Sequence, residues 1–227
     1  MSTRIEVIED ILDVNKQKAA SNREIFDQSS VFTINLMASP GAGKTSLIEL
    51  TIKQLSHRIS IAVIDGDIAT SLDADRAAAA GAKAVQINTG GGCHLDAMMI
   101  EHALKELSLN EVDLLIIENV GNLICPAGFP LGTHKNILIA STPEGDDKPY
   151  KYPTMYNGVD ALIINKIDLL PYVSFNMDYF RQGVELLNPG LEAFPMSCQT
   201  QEGLELWIQW IIAQVENNQK RLLIDNN

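Results

Sequence analysis

The chain is short of cationic side chains, of cysteine and of flexible linkers. It has 17 Lys and Arg residues against 29 Asp and Glu residues, which gives a formal net charge of −12. Because binding to a nucleic-acid backbone needs clustered cations, we expect no nucleic-acid partner. Three cysteines in 227 residues favour free thiols over a framework of disulfides. No Pro/Gly/Ser-rich linker divides the chain, so one compact domain is expected.

Long apolar runs are also missing. No stretch reaches the roughly 18 apolar residues that a helix needs to cross a bilayer. The sequence shows no secretory signal peptide either. We therefore predict a soluble, cytoplasmic protein without a membrane partner.

Short apolar runs do occur, and they alternate with segments whose apolar residues have helical spacing. This alternation predicts an α/β fold with a mostly parallel central sheet and helices on both faces. Ile5, Ile8 and Ile11 have the spacing of an amphipathic helix, which predicts an N-terminal helical extension (residues 1–30) before the main domain (residues 31–227). The predicted strands are 31–37, 59–64, 84–87, 112–117, 136–140, 161–164 and 191–195. The predicted helices begin at Lys44 and lie near 74–80, 95–107, 175–187 and 204–217.

The turn after the first predicted strand reads ASPGAGKT (residues 38–45). Gly41 and Gly43 let successive backbone N–H groups curl round an anion, and the following helix adds the positive end of its dipole. This P-loop predicts a bound nucleoside triphosphate, with Lys44 at the β- and γ-phosphates and the Thr45 hydroxyl on Mg²⁺. Position 38 is Ala where the strict pattern has Gly. The predicted nucleotide contacts of this segment are Ser39, Pro40, Gly41, Ala42, Gly43, Lys44, Thr45 and Ser46.

A second motif, NKID, follows the apolar run 161–164. A carboxylate at Asp168 would accept hydrogen bonds from the N1–H and exocyclic amino groups of guanine, whereas adenine would leave it unpaired. Alone, the tetrapeptide is a weak signal that also fits the end of a strand. Behind a P-loop it predicts GTP as the ligand, with Asn165, Lys166 and Asp168 reading the base. The backbone of Ser197 and Cys198 is expected to approach the guanine.

Acidic residues follow two other predicted strands. Glu118 ends the run VDLLIIE, and Asp67 and Asp73 come after ISIAVI. In open α/β sheets, ligands bind beyond the carboxyl ends of strands, where Mg²⁺ takes oxygen ligands. We therefore predict that Thr45, Asp67, Asp73 and Glu118 hold Mg²⁺. Any one of these acids, taken without its context, is more often a helix cap or a solvated surface group.

Sulphur and imidazole occur together in two loops. Cys93 and His94 lie in TGGGCHLDA, and Cys125 lies in ENVGNLICPA. Thiolate and imidazole are ligands of Zn²⁺ and Ni²⁺, and three of them leave a tetrahedral site for water, another side chain or a second chain to complete. On spacing alone, a role as small buried hydrophobic residues is commoner for such cysteines.

The order of motifs along the chain resembles one known family. ASPGAGKT, DGDIATSLDADR, TGGGCHLDA, ENVGNLICPA, STPEGDDKPYKYP and NKIDLLPY are similar to segments of the HypB-type nickel-incorporation GTPases of [NiFe]-hydrogenase maturation. CHLDA together with ENVGNLICPA is the most specific part of this resemblance. It implies a SIMIBI-class P-loop GTPase that converts GTP to GDP and phosphate. It also implies a nucleotide-dependent homodimer with Ni²⁺ or Zn²⁺ at its interface.

The resemblance also implies roles for single residues and for partners. Cys93, His94 and Cys125 would bind the transition metal, and Lys44, Asp73 and Glu118 would act in catalysis. Lys151 would reach the nucleotide across the dimer. The implied partners are a HypA-type nickel-binding accessory protein and the large subunit of a hydrogenase. Residues 1–30 contain neither Cys nor His, so the additional N-terminal nickel site of many family members is not expected.

The expected function is therefore that of a GTP-hydrolysing metallochaperone that delivers nickel for hydrogenase maturation. Two alternatives stay open. The first is a GTPase of the same fold that serves another metalloenzyme, such as urease. The second is a nucleotide-binding scaffold without significant turnover.

Overall fold

A seven-stranded sheet forms the centre of the computed structural model, which describes residues 7–68 and 71–225. The strand order is β3-β2-β4-β1-β5-β6-β7, and every neighbouring pair is parallel. The strands are β1 (Phe32–Ala38), β2 (Ile61–Asp67), β3 (Lys83–Asn88), β4 (Leu114–Glu118), β5 (Lys135–Ser141), β6 (Ala161–Asn165) and β7 (Glu192–Pro195). The predicted strands are thus all present with shifted ends, and the sheet is wholly rather than mostly parallel.

Helices cover both faces of this sheet. They are α1 (Val7–Gln28), α2 (Lys44–Leu55), α3 (Leu72–Ala79), α4 (Ala97–Leu104), α5 (Lys148–Lys151), α6 (Pro153–Asn157), α7 (Met177–Leu187) and α8 (Leu204–Asp225). The predicted helix 95–107 is shorter at both ends in the structure, and its start is set by Asp96, which caps it by accepting the backbone N–H of Met99 at 2.8 Å. The sequence prediction missed α5 and α6, which are too short to show an apolar period. None of the described helices is long and apolar enough to cross a membrane.

The core lies in two layers, one on each face of the sheet. On one face, Ile34 and Leu36 of β1 pack against α2 and α8, where Trp207 is fully buried. On the other face, Ile64 of β2 packs under α1 and α4, and Met37 of β1 packs beside α6 and α7. Strands buried on both faces need continuous apolar runs, which is why the sequence shows runs and not alternation.

The N-terminal helix α1 shares the core of the main domain. Phe26 is fully buried in the layer under α4. The buried side chain of Asn22 donates from Nδ2 to the carbonyl oxygens of Ala97 at 2.8 Å and Leu131 at 3.1 Å. These contacts place α1 on the sheet and favour joint folding of α1 with the main domain. The division at residue 30 stays a prediction.

The predicted amphipathic face of α1 is described only in part. Ile5 and the side chain of Ile8 lie outside the described residues. Ile11 is 53% exposed, so its apolar side chain contributes little to the core.

His134 joins three elements at the edge of the sheet where the strands begin. Its Nδ1 accepts the backbone N–H of Thr33 at 3.0 Å, which puts the proton of the neutral ring on Nε2, 2.9 Å from Asp27 Oδ1. Asp27 also accepts from Arg221 of α8. Only 5% of the His134 side chain is exposed. Burial lowers the pKa of His134 to about 4 although Asp27 opposes the shift, and Arg23 and Arg221 lower it further.

We expect the protein to lose stability through His134 as the pH falls from about 6.5 to about 4. The unfolded ring titrates near pH 6.5, so in this window the unfolded chain takes up a proton that the folded chain refuses. The loss approaches about 3 kcal/mol in the free energy of unfolding. Denaturant unfolding at about pH 7.5 and about pH 5 checks this expectation. The free energy of unfolding of His134→Gln should decrease less between these two pH values, whereas that of His57→Gln, changed at an exposed histidine, should decrease as in wild type. An equal decrease in wild type and in His134→Gln would contradict the expectation.

Candidate functional site

The loop between β1 and α2 is shaped by two glycines. Gly41 has a φ of 75° and Gly43 a φ of 106°, backbone conformations that side chains other than Gly rarely adopt. A Cβ on Gly43 would lie 2.3 Å from Asn165 Nδ2. The loop therefore presents its N–H groups at the start of α2, as an anion cradle requires. The methyl group of Ala38 is buried in the core, which explains how Ala is accommodated at this position of the pattern.

A cavity of about 430 Å³ lies in front of this loop. Its wall includes Lys44 and Thr45 from α2, Asp67 from β2, Asp73 from α3 and Glu118 from β4. These residues are far apart in sequence and come from two strand ends and two helix starts. The structure thus brings the predicted phosphate and Mg²⁺ residues to one edge of the sheet.

The oxygen atoms beside this cavity fit a divalent cation. Thr45 Oγ1 donates to Glu118 Oε1 at 2.9 Å, and both side chains are buried. Asp65 pairs with Glu118 across neighbouring strands, and its buried Oδ2 has no hydrogen-bond partner. Burial raises the pKa of Glu118 to about 8 and that of Asp65 to about 6. The Asp65 carboxylate raises the pKa of Glu118 further, Asp73 and Asp67 raise that of Asp65, and Lys44 opposes both shifts. Crowded carboxylates with a hydroxyl are a donor set suited to Mg²⁺, which relieves their repulsion.

Asp65 was missed by the sequence prediction. The signal was present in the run DGD, which directly follows an apolar strand. Asp65 is 2% exposed and lies behind the cavity wall, where it acts on the charge of Glu118.

A second cavity, of about 350 Å³, adjoins the first through the shared residues Gly43 and Ser46. Asn165, Lys166 and Asp168 line it, so NKID lies beside the P-loop. Asp168 Oδ1 is buried and has no hydrogen-bond partner. A buried carboxylate oxygen without a partner needs a hydrogen-bond donor, and the N–H groups of guanine would supply one.

Hydrogen bonds tie the NKID segment to the P-loop. Asn165 Nδ2 donates to the carbonyl of Ala42 at 2.8 Å, and Lys166 Nζ donates to the carbonyl of Gly41 at 2.6 Å. Lys166 has a left-handed backbone with φ 63°, and its carbonyl accepts from Thr142 Oγ1 at 2.7 Å. The sequence prediction missed Thr142, whose side chain holds the turn in place. The phosphate and base segments therefore form one connected unit.

The segment after β7 closes the second cavity. The backbone N–H of Cys198 donates to Asn165 Oδ1 at 3.1 Å, and burial raises the pKa of the Cys198 thiol to about 11, so the thiol is neutral. Ser197 is fully buried, and its hydroxyl accepts the N–H groups of Gln199 and Thr200. Cys198 lines the cavity, whereas the Ser197 side chain shapes the turn beneath it.

Lys151 is placed differently from the other predicted nucleotide contacts. It lies on α5, where it forms an ion pair with Asp147. It is absent from the walls of both cavities of its own chain. A nucleotide contact of Lys151 is thus a proposal that requires a second chain.

Cys93, His94 and Cys125 form one cluster. Cys93 Sγ lies 2.8 Å from Cys125 Sγ and 3.5 Å from His94 Nδ1, and the three ligand atoms all lie within 4.8 Å of one another. Both thiols are half-buried, which distinguishes them from fully buried hydrophobic cysteines. Burial lowers the pKa of His94, whose ring stacks on Phe129 at 3.8 Å. Two thiols and a neutral imidazole suit Ni²⁺ or Zn²⁺ and leave one coordination position open.

The cluster binds a cation only if the thiols lose their protons. The hydrogen bond with Cys93 raises the pKa of the Cys125 thiol. A bound transition metal reverses this preference because thiolate is the ligand, so binding releases protons.

Asn119 connects the end of β4, which carries Glu118, to the segment that carries His94. It directly follows Glu118 and is fully buried. Its Oδ1 accepts the backbone N–H of Leu95 at 3.1 Å, one residue beyond His94. The end of β4 is therefore hydrogen-bonded to the segment that carries the imidazole.

Asn122 connects the P-loop to Cys125. Its backbone N–H donates to the carbonyl of Ala38 at 2.8 Å. Its Oδ1 accepts the backbone N–H of Cys125 at 3.1 Å. Gly121, the residue before Asn122, packs against Pro40, and an added Cβ on Gly121 would lie 3.1 Å from Pro40 Cα. Asn122 thus links Cys125 to the end of β1, where the phosphate loop begins.

Comparison with known proteins gives consistent matches. A family model described as "CobW/HypB/UreG, nucleotide-binding domain" matches residues 32–195. The hydrogenase maturation factor HypB of Rhizobium leguminosarum bv. viciae is 48% identical over 207 residues, which cover 91% of this chain and 69% of that protein. The probable hydrogenase maturation factor HypB of Methanocaldococcus jannaschii is 43% identical, with 93% of this chain and 96% of that protein covered.

One solved structure agrees over nearly the whole fold. The crystal structure of HypB from Helicobacter pylori in complex with nickel is similar with a TM-score of 0.85 and 40% sequence identity. The match covers 90% of this chain and 96% of that chain.

Proposed function

This chain belongs to the CobW/HypB/UreG family of nucleotide-binding domains, and from this premise we propose that it is a GTP-hydrolysing metallochaperone that delivers nickel during hydrogenase maturation. The observation that carries the proposal is the joining of two sites in one chain. A nucleotide cradle with a candidate base-reading carboxylate lies in the same chain as a Cys/His cluster, and two hydrogen-bond paths link them.

The nucleotide site supports hydrolysis by positioning the phosphates and by neutralising their charge. The P-loop N–H groups and Lys44 hold the phosphates, and Asp168 selects the guanine. Thr45, Asp67, Asp73 and Glu118 would hold Mg²⁺, which when bound neutralises charge on the phosphates. Since the phosphoryl group passes to water, the chain has only to orient the reacting groups and stabilise the charge of the transition state. We expect turnover to be slow without partners.

The Cys/His cluster supports transport of a metal ion and not its storage. Three ligands leave Ni²⁺ or Zn²⁺ incompletely coordinated, so a second copy of the chain or an accepting protein has a coordination position to occupy. We propose a homodimer that shares its metal sites, with Lys151 reaching the nucleotide of the partner copy. A HypA-type accessory protein and the large subunit of a hydrogenase are the proposed exchange partners.

The two halves are coupled if the nucleotide state moves the metal ligands. Asn122 binds the end of β1 with its backbone and Cys125 with its side chain. A γ-phosphate that orders the P-loop and the end of β4 would therefore change the positions of both Cys125 and His94. We propose that GTP favours the metal-loaded dimer and that hydrolysis releases the metal.

Nickel affinity should depend on the bound nucleotide. We expect Ni²⁺ to bind roughly 10-fold more tightly with a non-hydrolysable GTP analogue than with GDP, which is a typical coupling between two sites. Calorimetric titration with Ni²⁺ in each state, with light scattering to measure the mass, checks both coupling and assembly. Asn122→Ala keeps all ligands but breaks the path, so it should reduce the difference. Equal affinities in wild type would reject the coupling, because a ligand indifferent to the two states shifts nothing.

A further inference from the structure

The phosphate cavity is lined by more acidic than basic side chains. Among the described residues, Asp67, Asp73 and Glu118 face it, and Lys44 and Arg76 are the cationic side chains in its wall. A triphosphate adds several negative charges to these carboxylates. The guanidinium of Arg76 is thus a second cation next to the place where the terminal phosphate is expected.

Two carboxylates hold Arg76 in the structure. Nε and Nη2 bind the two carboxylate oxygens of Glu49 on α2 at 3.2 and 3.0 Å, and Nη1 binds Asp73 Oδ1 at 3.2 Å. The side chain of Arg76 is 43% exposed. Ion pairs this exposed contribute about 0–1 kcal/mol, so a phosphate group can displace them.

Asp73 is shared between Arg76 and the predicted Mg²⁺ site. It lines the phosphate cavity and also accepts from Nη1. Mg²⁺ bound together with a nucleotide would compete with Arg76 for the Asp73 carboxylate and would free one edge of the guanidinium. A planar guanidinium with several N–H donors matches phosphate oxygens in two-point contacts.

From this geometry we infer that Arg76 is a catalytic residue that binds the γ-phosphate of GTP and stabilises the charge of phosphoryl transfer. The inference rests on the proposed GTP hydrolysis. In the state described here, Glu49 and Asp73 hold the guanidinium at the rim of the cavity. The attacking water forms a bond to the γ-phosphorus while the bond from that phosphorus to the β–γ bridging oxygen breaks. GDP leaves with the bridging oxygen, a proton of the water passes to the released phosphate, and the Arg76 guanidinium neither gains nor loses a proton.

A purely structural role is the competing explanation. Arg76 also ties α3 to α2, so its removal could act through helix packing. Glu49→Gln separates the two roles, because it weakens this tie and leaves the guanidinium present.

The test compares wild type, Arg76→Ala and Glu49→Gln. We expect Arg76→Ala to lower single-turnover GTP hydrolysis roughly 10²-fold, as expected for the loss of one charge-stabilising donor. It should also lower the affinity for a non-hydrolysable GTP analogue more than that for GDP, measured by calorimetry. Glu49→Gln should retain the wild-type rate and the wild-type affinity ratio.

The outcomes separate this inference from the proposed function. Equal losses in Arg76→Ala and Glu49→Gln, or an unchanged affinity ratio in Arg76→Ala, would overturn the role of Arg76. Absence of GTP hydrolysis by wild type would overturn the proposed function instead, and the affinity ratio would still decide whether Arg76 contacts the γ-phosphate. Unfolding midpoints of the nucleotide-free variants show whether either substitution loosens the fold.

Discussion

We expect Asp168→Asn to convert a chain that selects GTP into one that selects xanthosine triphosphate. Asp168 Oδ1 is buried and unpartnered in the cavity beside the P-loop. Its carboxylate matches the two N–H donors of guanine. The Asn side chain replaces one acceptor with an NH₂ donor, which faces the guanine amino group but matches the C2 carbonyl of xanthine. The ratio of the two affinities should change by roughly 10⁴-fold, because a site built to hydrogen-bond one base rejects its mismatch at that level.

Competition binding with a fluorescent nucleotide measures this change directly. GTP, xanthosine triphosphate and ATP are each titrated against wild type, Asp168→Asn and Asp178→Asn. Asp178 is exposed at the start of α7, so the same chemical change there is a matched control and should leave the preference for GTP intact. If Asp168→Asn still preferred GTP strongly, Asp168 would not be the base reader.

The second large effect is expected at the metal cluster. Substituting both Cys93 and Cys125 by Ser should weaken Ni²⁺ binding by on the order of 10³-fold, since thiolate coordination supplies most of the binding free energy of such sites. Only His94 of the cluster then remains, and hydroxyl oxygen is a poor ligand for this ion. The thiolate-to-nickel charge-transfer absorption should vanish together with the affinity.

Histidine variants provide the matched control for this experiment. His94→Ala should weaken Ni²⁺ binding, whereas His102→Ala should not, because His102 is exposed on α4 outside the cluster. The double Ser variant should still bind GTP, which shows that the fold is intact. Unchanged nickel affinity in the double variant would place the metal elsewhere on the chain.

The nucleotide site was predictable to a large extent because its chemistry is local. ASPGAGKT forms the phosphate loop with only a turn and the start of a helix, and Gly41 and Gly43 have the positive φ angles that the motif implies. NKID follows its strand and lines the cavity in the same way. Asp65, Thr142 and Arg76 escaped the prediction because their importance depends on neighbours that come from other strands and helices. No spacing within the chain marks Thr142 or Arg76, and the run DGD does not show that Asp65 lies beside Glu118.

By itself, the sequence determined the parallel α/β class, the phosphate loop and the candidate metal ligands, because strand runs and short motifs depend on neighbours in the chain. Only the tertiary structure decided that Cys93 and Cys125 lie with their sulphur atoms 2.8 Å apart. It also decided that Asn119 and Asn122 join this cluster to the phosphate loop. The physical reason is the order of the sheet: β1 lies between β4 and β5, with β2 on the far side of β4, so loops that are distant in sequence meet at one edge.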